Sequence, residues 1–218
     1  MGSNDYEMKE GKTYFALILA TFLLLSGCTA AQTPSTELDD ALKNKNVLIV
    51  YLSRTKNTKA VAEIIHKHTG GTLVELVLEN PYPENYKAIV DQVVNENATG
   101  FLPAIKTKID SIHKYDVVFI GFPTWGMQLP PPMKSFLTQC DLSGKTVIPF
   151  NTNAGYGVGS SFETVKKICR NSKVLEGFST KGGIERDGVL FVMEGDKEKQ
   201  VEAEVKKWLE KTAKAFKQ

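Results

Sequence analysis

The chain has no surplus of charge of either sign. Its 27 basic and 25 acidic residues leave a net charge of +2, and no basic block is interleaved with aromatics. That argues against a nucleic-acid surface. Cysteine is scarce: Cys28, Cys140 and Cys169 are the full set, and their spacing fits no zinc motif. Of the three histidines, His66 and His68 stand two apart in a helical pattern and so point to different faces, which argues against a metal pair. His113 reads as a surface residue. No Ser-His-Asp or Cys-His pairing is evident, so a hydrolase has little support. No repeat at periods of 20–50 residues is present, which excludes a solenoid or propeller. No uncharged apolar run reaches the 18 or so residues of a membrane span.

The nearest to such a run is "TYFALILATFLLL", Thr13 to Leu25. As a helix it would reach about 20 Å, short of the roughly 30 Å hydrocarbon core, and it suits a signal-peptide core better. It leads directly into Leu25-Ser26-Gly27-Cys28, which resembles the bacterial lipobox, where the signal is cut before a cysteine that then carries lipid. Small Ser26 and Gly27 suit a peptidase site, and the Cys28 thiol suits a thioether. The expectation is a signal peptide over residues 1–27, lipidation at Cys28 and a tether over 28–45, holding the protein at the cell membrane outside the cytoplasm. The same residues also admit an uncleaved anchor helix with an incidental cysteine. Lys9 and Lys12 are offset by Asp5, Glu7 and Glu10, and a start at Met8 would remove the first two acids. Cys140 and Cys169 end apolar helical patterns and read as buried thiols, although an exported chain also permits a disulfide.

Ala30 to Lys45 is polar and without strong period, with room for a short helix late in it. From Asn46 onward strand and helix signals alternate. Val47–Leu52 is a continuous apolar run, as a strand covered on both faces requires. Val61, Ile64, Ile65 and His68 share a helix face that Gly70-Gly71 terminates. Further strands are expected at Thr72–Leu78, Asp116–Gly121, Thr146–Asn151 and Lys173–Phe178. Further helices are expected from Tyr86 to about Asn97, after Pro130-Pro131-Pro132, and at Ser160–Cys169. Val201, Val205, Trp208, Leu209, Thr212 and Phe216 line a closing helix. Such alternation predicts βαβ units and a five-stranded parallel sheet in the order 2-1-3-4-5, an α/β three-layer sandwich filling residues 46–218. The crevice of that topology lies between strands one and three.

Three loops fall on that edge. In Ser53-Arg54-Thr55-Lys56-Asn57-Thr58 the chain leaves strand one and opens a helix. Unpaired N–H groups and the helix dipole there stabilise an anion. The hydroxyls of Ser53, Thr55 and Thr58 and the amide of Asn57 can donate to phosphate oxygens, with charge from Arg54 and Lys56. Asn57 stands where phosphate loops often carry glycine. Plain N-capping without a ligand is the other reading. The second loop, Gly121-Phe122-Pro123-Thr124-Trp125-Gly126, presents a tryptophan face suited to stacking on an aromatic ring; a Trp that covers the sheet end is the alternative. The third runs from Asn151 to Ser161; its stretch Thr152-Asn153-Ala154-Gly155-Tyr156-Gly157-Val158-Gly159 brings backbone close to a ligand and offers N–H groups to a ring edge. A phosphate nest, an aromatic face and a polar backbone edge together describe flavin mononucleotide, FMN.

Residues 46–183 resemble the flavodoxin fold family. Ser53, Thr55, Asn57 and Thr58 match S-x-T-x-N-T; Gly121, Pro123 and Trp125 match G-x-P-x-W; Thr152, Gly155, Gly157 and Gly159 match the glycine-rich third loop. The resemblance implies noncovalent FMN and redox work with a partner or small acceptor. Thr124 and Tyr156 are then the side chains expected to meet the flavin edge, and no catalytic acid or base is required. Flavodoxins are strongly acidic and this chain is not, so a less extreme potential is expected, and with it a quinone-type reductase as readily as a carrier. The alternative is a cofactor-free module on the same fold that binds a phosphate ligand or a protein.

Overall fold

The computed structural model describes residues 37–216. The apolar N-terminal segment, Cys28 and the first part of the expected tether lie outside the described residues. The helix expected late in the tether is present as α1 (Glu37–Leu42). Three acids in its first turn suit the positive end of its dipole. Its Leu38 is buried in the core, so from Glu37 onward the chain packs as part of the domain.

The strands are β1 (Val47–Tyr51), β2 (Thr72–Glu75), β3 (Val117–Pro123), β4 (Thr146–Asn153), β5 (Lys173–Val174) and β6 (Phe178–Lys181). They form one parallel sheet in the order β2-β1-β3-β4-β5, with β6 also on β4. The helices are α2 (Asn57–Thr69), α3 (Tyr86–Thr99), α4 (Pro131–Gln139), α5 (Ser161–Ile168) and α6 (Gly195–Ala215). The expected order holds.

The alternation of side chains divides the core in two. Val47, Ile49 and Tyr51 of β1 join Val61, Ile65, Val201, Val205 and Leu209 beneath α2 and α6. Leu48, Val50 and Leu52 join Leu129, Met133, Phe136 and Val165 beneath α4 and α5. Each fully buried aliphatic side chain contributes roughly 2 kcal/mol, which is why the central strands read as unbroken apolar runs.

Three expectations need correction. β2 ends at Glu75, three residues early, because the backbone of Val77–Glu79 turns to pair with Ala104–Lys106 instead. The fifth strand is two short ones, β5 and β6, separated at Gly177. A Cβ there would lie 2.7 Å from the Phe162 ring and 2.9 Å from the Pro149 carbonyl oxygen. The chain crosses too close to its neighbours at that point to hold regular pairing. β3 and β4 each run two residues further than expected, to Pro123 and Asn153. This carries Thr124 and Thr152 to the sheet edge.

Candidate functional site

The three loops meet in one cavity of about 440 Å³ at the C-terminal edge of the sheet. Of the residues expected there, Arg54, Thr55, Asn57, Thr58, Pro123, Thr124, Trp125, Gly126, Thr152, Asn153, Tyr156 and Gly157 line it. Ser53, Lys56, Gly155 and Gly159 are not among the lining residues.

In the first loop, Lys56 takes the left-handed conformation at φ 63°, and α2 begins at the next residue. The left-handed residue is thus Lys56, one before the Asn57 that stands in the glycine's place. The first-turn N–H groups of a helix have no i−4 carbonyl to meet; Lys59 N–H donates to Ser53 Oγ at 3.2 Å. The Thr58 and Thr152 hydroxyls meet at 2.8 Å, joining the first turn of α2 to the end of β4.

Asn57 and Arg54 are spoken for by the protein itself. Asn57, 2% exposed, donates from Nδ2 to the Leu190 carbonyl at 2.6 Å and to Thr55 Oγ1 at 2.8 Å. Its Oδ1 accepts from Val192 N–H at 3.1 Å. The Arg54 guanidinium donates to Glu185 Oε1 at 2.7 Å and to the carbonyls of Pro83 at 2.9 Å and Glu84 at 2.6 Å. The two groups expected to serve a phosphate instead hold neighbouring segments in place.

The second loop closes as a two-residue turn. Gly126 and Met127 both have positive φ, 56° and 59°, and Trp125 and Gln128 exchange backbone hydrogen bonds of 3.0 and 3.3 Å around them. Trp125 is half-buried. The Tyr82 ring meets it edge-on at 5.3 Å and 87°, which fixes the indole plane. Tyr82 is fixed in turn: its hydroxyl donates to Glu96, a carboxylate only 4% exposed that also accepts from Gln92 Nε2 at 2.8 Å. Burial and the Glu96 carboxylate push the Tyr82 hydroxyl well above its ordinary pKa. Gly121 has a structural cause: a Cβ there would stand 2.1 Å from the Phe150 ring, which lies across it from β4.

The third loop is shaped by Asn153. Its Oδ1 accepts from Gly155 N–H at 2.8 Å and Gly157 N–H at 3.1 Å. Those two N–H groups, expected to face a ring edge, are thus turned onto the protein. Thr124 joins the loops, donating from its hydroxyl to the Gly157 carbonyl at 3.0 Å and accepting from Asn151 Nδ2 at 3.0 Å. Gly159 presses on the second loop, where a Cβ would fall 2.0 Å from the Met127 carbonyl oxygen. Tyr156 is 65% exposed at the mouth.

A fourth loop, between β6 and α6, contributes Gly182, Gly183, Ile184, Glu185 and Arg186 to the lining. It is no part of the site expected from the sequence. Its signal is the Gly182-Gly183 pair that follows β6. A Cβ on Gly183 would meet the Leu190 carbonyl oxygen at 2.2 Å, and one on Gly182 would press on the Asn57 side chain at 3.2 Å.

The donor set fits a phosphate-bearing, flat-ringed nucleotide such as FMN. The start of α2 and the hydroxyls of Thr55 and Thr58 would hold the phosphate, while the fixed indole of Trp125 gives the ring a face. The family profile described as flavodoxin matches residues 46–195. The chain is similar to an FMN-dependent NADH:quinone oxidoreductase of Ruminiclostridium cellulolyticum, with 30% identity over 118 residues. That match covers 49% of this chain and 55% of the relative, so the chain spans about half the length of the relative it matches. Among solved structures it is similar to a candidate flavoprotein of Bacteroides eggerthii, 33% identical with a TM-score of 0.57, covering 62% of this chain and 88% of that one. The fold is also that of a Lactobacillus acidophilus flavoprotein solved in complex with FMN, 23% identical with a TM-score of 0.55, covering 62% of this chain and 93% of the other.

Proposed function

Because this chain belongs to the flavodoxin family over residues 46–195, we propose that it is an FMN-binding redox protein. Its activity would be to pass reducing equivalents from a reduced nicotinamide nucleotide to a small quinone-type acceptor. The observation that carries the reading is the meeting of a helix-start anion site, a fixed tryptophan face and a polar third loop in a single cavity. The quinone oxidoreductase relative supports the acceptor class. Near-neutral charge, +2 overall, supports a small acceptor over docking to a basic protein partner.

When bound, FMN supplies the electron-transfer chemistry. The protein's part is to hold and orient. Thr55, Thr58 and the opening turn of α2 would hold the phosphate. Trp125, braced by Tyr82, would offer the ring an apolar face. Thr124 holds the second and third loops at a fixed separation. The net reaction, quinone + NADH + H⁺ → quinol + NAD⁺, balances without a side-chain acid or base. Lipidation at Cys28 belongs to the same proposal and rests on the sequence motif; it would place this reaction at a membrane surface.

The test is purification followed by an NADH and quinone assay. A yellow protein that turns over without an added partner is the expected result. A yellow protein inactive unless a reductase is supplied would make it a carrier. A protein that stays colourless in excess FMN would leave only a cofactor-free binding module. Mass spectrometry that finds residues 1–27 still attached would defeat the lipidation reading.

A further inference from the structure

One wall of the cavity serves neither a phosphate nor a ring edge. On α3, Ile89 and Val93 are buried against the body of the protein. Beside them Tyr86, Val90 and Val94 recur every fourth residue and line the cavity, yet they are 40%, 39% and 61% exposed. A surface helix ordinarily carries polar residues beside its buried stripe. Here the apolar stripe is widened on the cavity side, while charge goes elsewhere: Lys87 and Asp91 pair with each other at 2.6 Å. Met127, 45% exposed, also lines the cavity.

Two further observations say what this wall meets. The charged lining residues are neutralised: Arg54 pairs with Glu185 at 2.7 Å and Arg186 with Asp187 at 2.8 Å. Beyond the start of α2, the lining therefore offers no free cationic side chain to a second, anionic ligand. The wall is also held in place. Arg54 grips the Pro83 and Glu84 carbonyls, and the adjoining Asn85 caps α3 by accepting from Ala88 N–H at 3.0 Å. An apolar surface fixed by a half-buried arginine with three partners is a built surface, continuous with the cavity that carries Trp125.

We infer that the Tyr86-Val90-Val94 wall is the acceptor subsite, and that its ligand class is a neutral, flat, apolar ring rather than an anionic one. This rests on the redox reading above. Arg54 is a positioning residue for that wall.

The experiment is equilibrium dialysis of the FMN-loaded protein against 1,4-naphthoquinone and its sulfonated analogue, without reductant. The neutral quinone should bind at least about tenfold more tightly than the sulfonate. Val94→Asp should weaken the neutral quinone by about tenfold, the equivalent of uncovering one aliphatic side chain, and leave FMN affinity within about twofold. Val90→Ser should act in the same direction, more weakly. Arg54→Ala should also weaken the quinone, and Arg54→Lys should not rescue it, since one ammonium cannot span three acceptors. Equal binding of the two quinones, or no change with Val94→Asp, would overturn the subsite. Loss of FMN with Val94→Asp would assign the wall to the cofactor and also overturn it. Failure of the unmodified protein to take up FMN would defeat the redox reading, and is read separately from its colour.

Discussion

Replacing Asn57 should separate the fold's use of that residue from the ligand's. Its amide is 2% exposed and joins three groups: the Leu190 carbonyl at 2.6 Å, Val192 N–H at 3.1 Å and Thr55 Oγ1 at 2.8 Å. Each buried hydrogen bond is worth about 1 kcal/mol net, and stranded partners add to the cost. Asn57→Ala should therefore destabilise the FMN-free protein by about 3 kcal/mol, a fall in melting temperature of roughly 6–12 °C for a domain of this size. Asn57→Asp keeps the acceptor toward Val192 but loses the Nδ2 donations and turns a buried carboxylate oxygen onto the Leu190 carbonyl, so it should cost at least as much as Ala, about 3 kcal/mol or more. For FMN the two variants separate further. A carboxylate at the start of α2 faces the phosphate, so Asp should weaken FMN more than Ala does. Thermal melts without ligand and fluorescence titration with FMN measure the two effects. If Asn57→Ala melts within 2 °C or so of the unmodified protein, the staple carries no weight. If Ala and Asp weaken FMN equally, Asn57 does not border the phosphate.

Trp125→Ala should weaken FMN roughly tenfold to a hundredfold, the usual worth of one aromatic stack, in a flavin-fluorescence titration. Tyr82→Phe should cost about 1–3 kcal/mol in urea unfolding, because buried Glu96 loses a donor, while leaving FMN affinity nearly unchanged. Gly159→Ala should abolish FMN binding and lower the melting temperature, since φ is +54° and the Cβ falls 2.0 Å from the Met127 carbonyl oxygen. Burial, and then Glu75, raise the Tyr51 pKa from 10.0 to about 12. A raised pKa means stability that is complete below pH 10 and lost as pH rises through 12, so a tyrosinate absorbance titration should show Tyr51 and Tyr82 as late tyrosines, with Tyr51 ionising first and loosening the fold in that window. Burial likewise raises the Cys169 pKa, to about 11, and its reaction with a thiol reagent at neutral pH should be slow in the folded protein.

The sheet order was legible because β1, β3 and β4 are buried on both faces and must be apolar throughout. Val47–Tyr51 carries its place in the sheet in its composition. The crevice loops were legible because helix starts and strand ends concentrate hydroxyls, Gly and Trp at short spacing. Asn57 was misread because its partners, Leu190 and Val192, are 133 and 135 residues away, and no local pattern encodes such a contact. Arg54 was read as charge for a phosphate, since its carboxylate partner Glu185 lies 131 residues on. The division of the fifth strand at Gly177 depends on how closely Phe162 and Pro149 approach, and the widened stripe of α3 reads in sequence as an ordinary core face. Spacing reports which residues share a face; it does not report what that face meets.

The central claim is that the start of α2 holds a terminal phosphate while Trp125 faces the ring. Comparison of FMN with riboflavin, its phosphate-free analogue, tests it in one titration. A single FMN per chain is expected, with riboflavin bound at least about a hundredfold more weakly, since charge-assisted hydrogen bonds contribute about 1.5–3 kcal/mol each. Equal affinity for the two, or no binding of either, would contradict it.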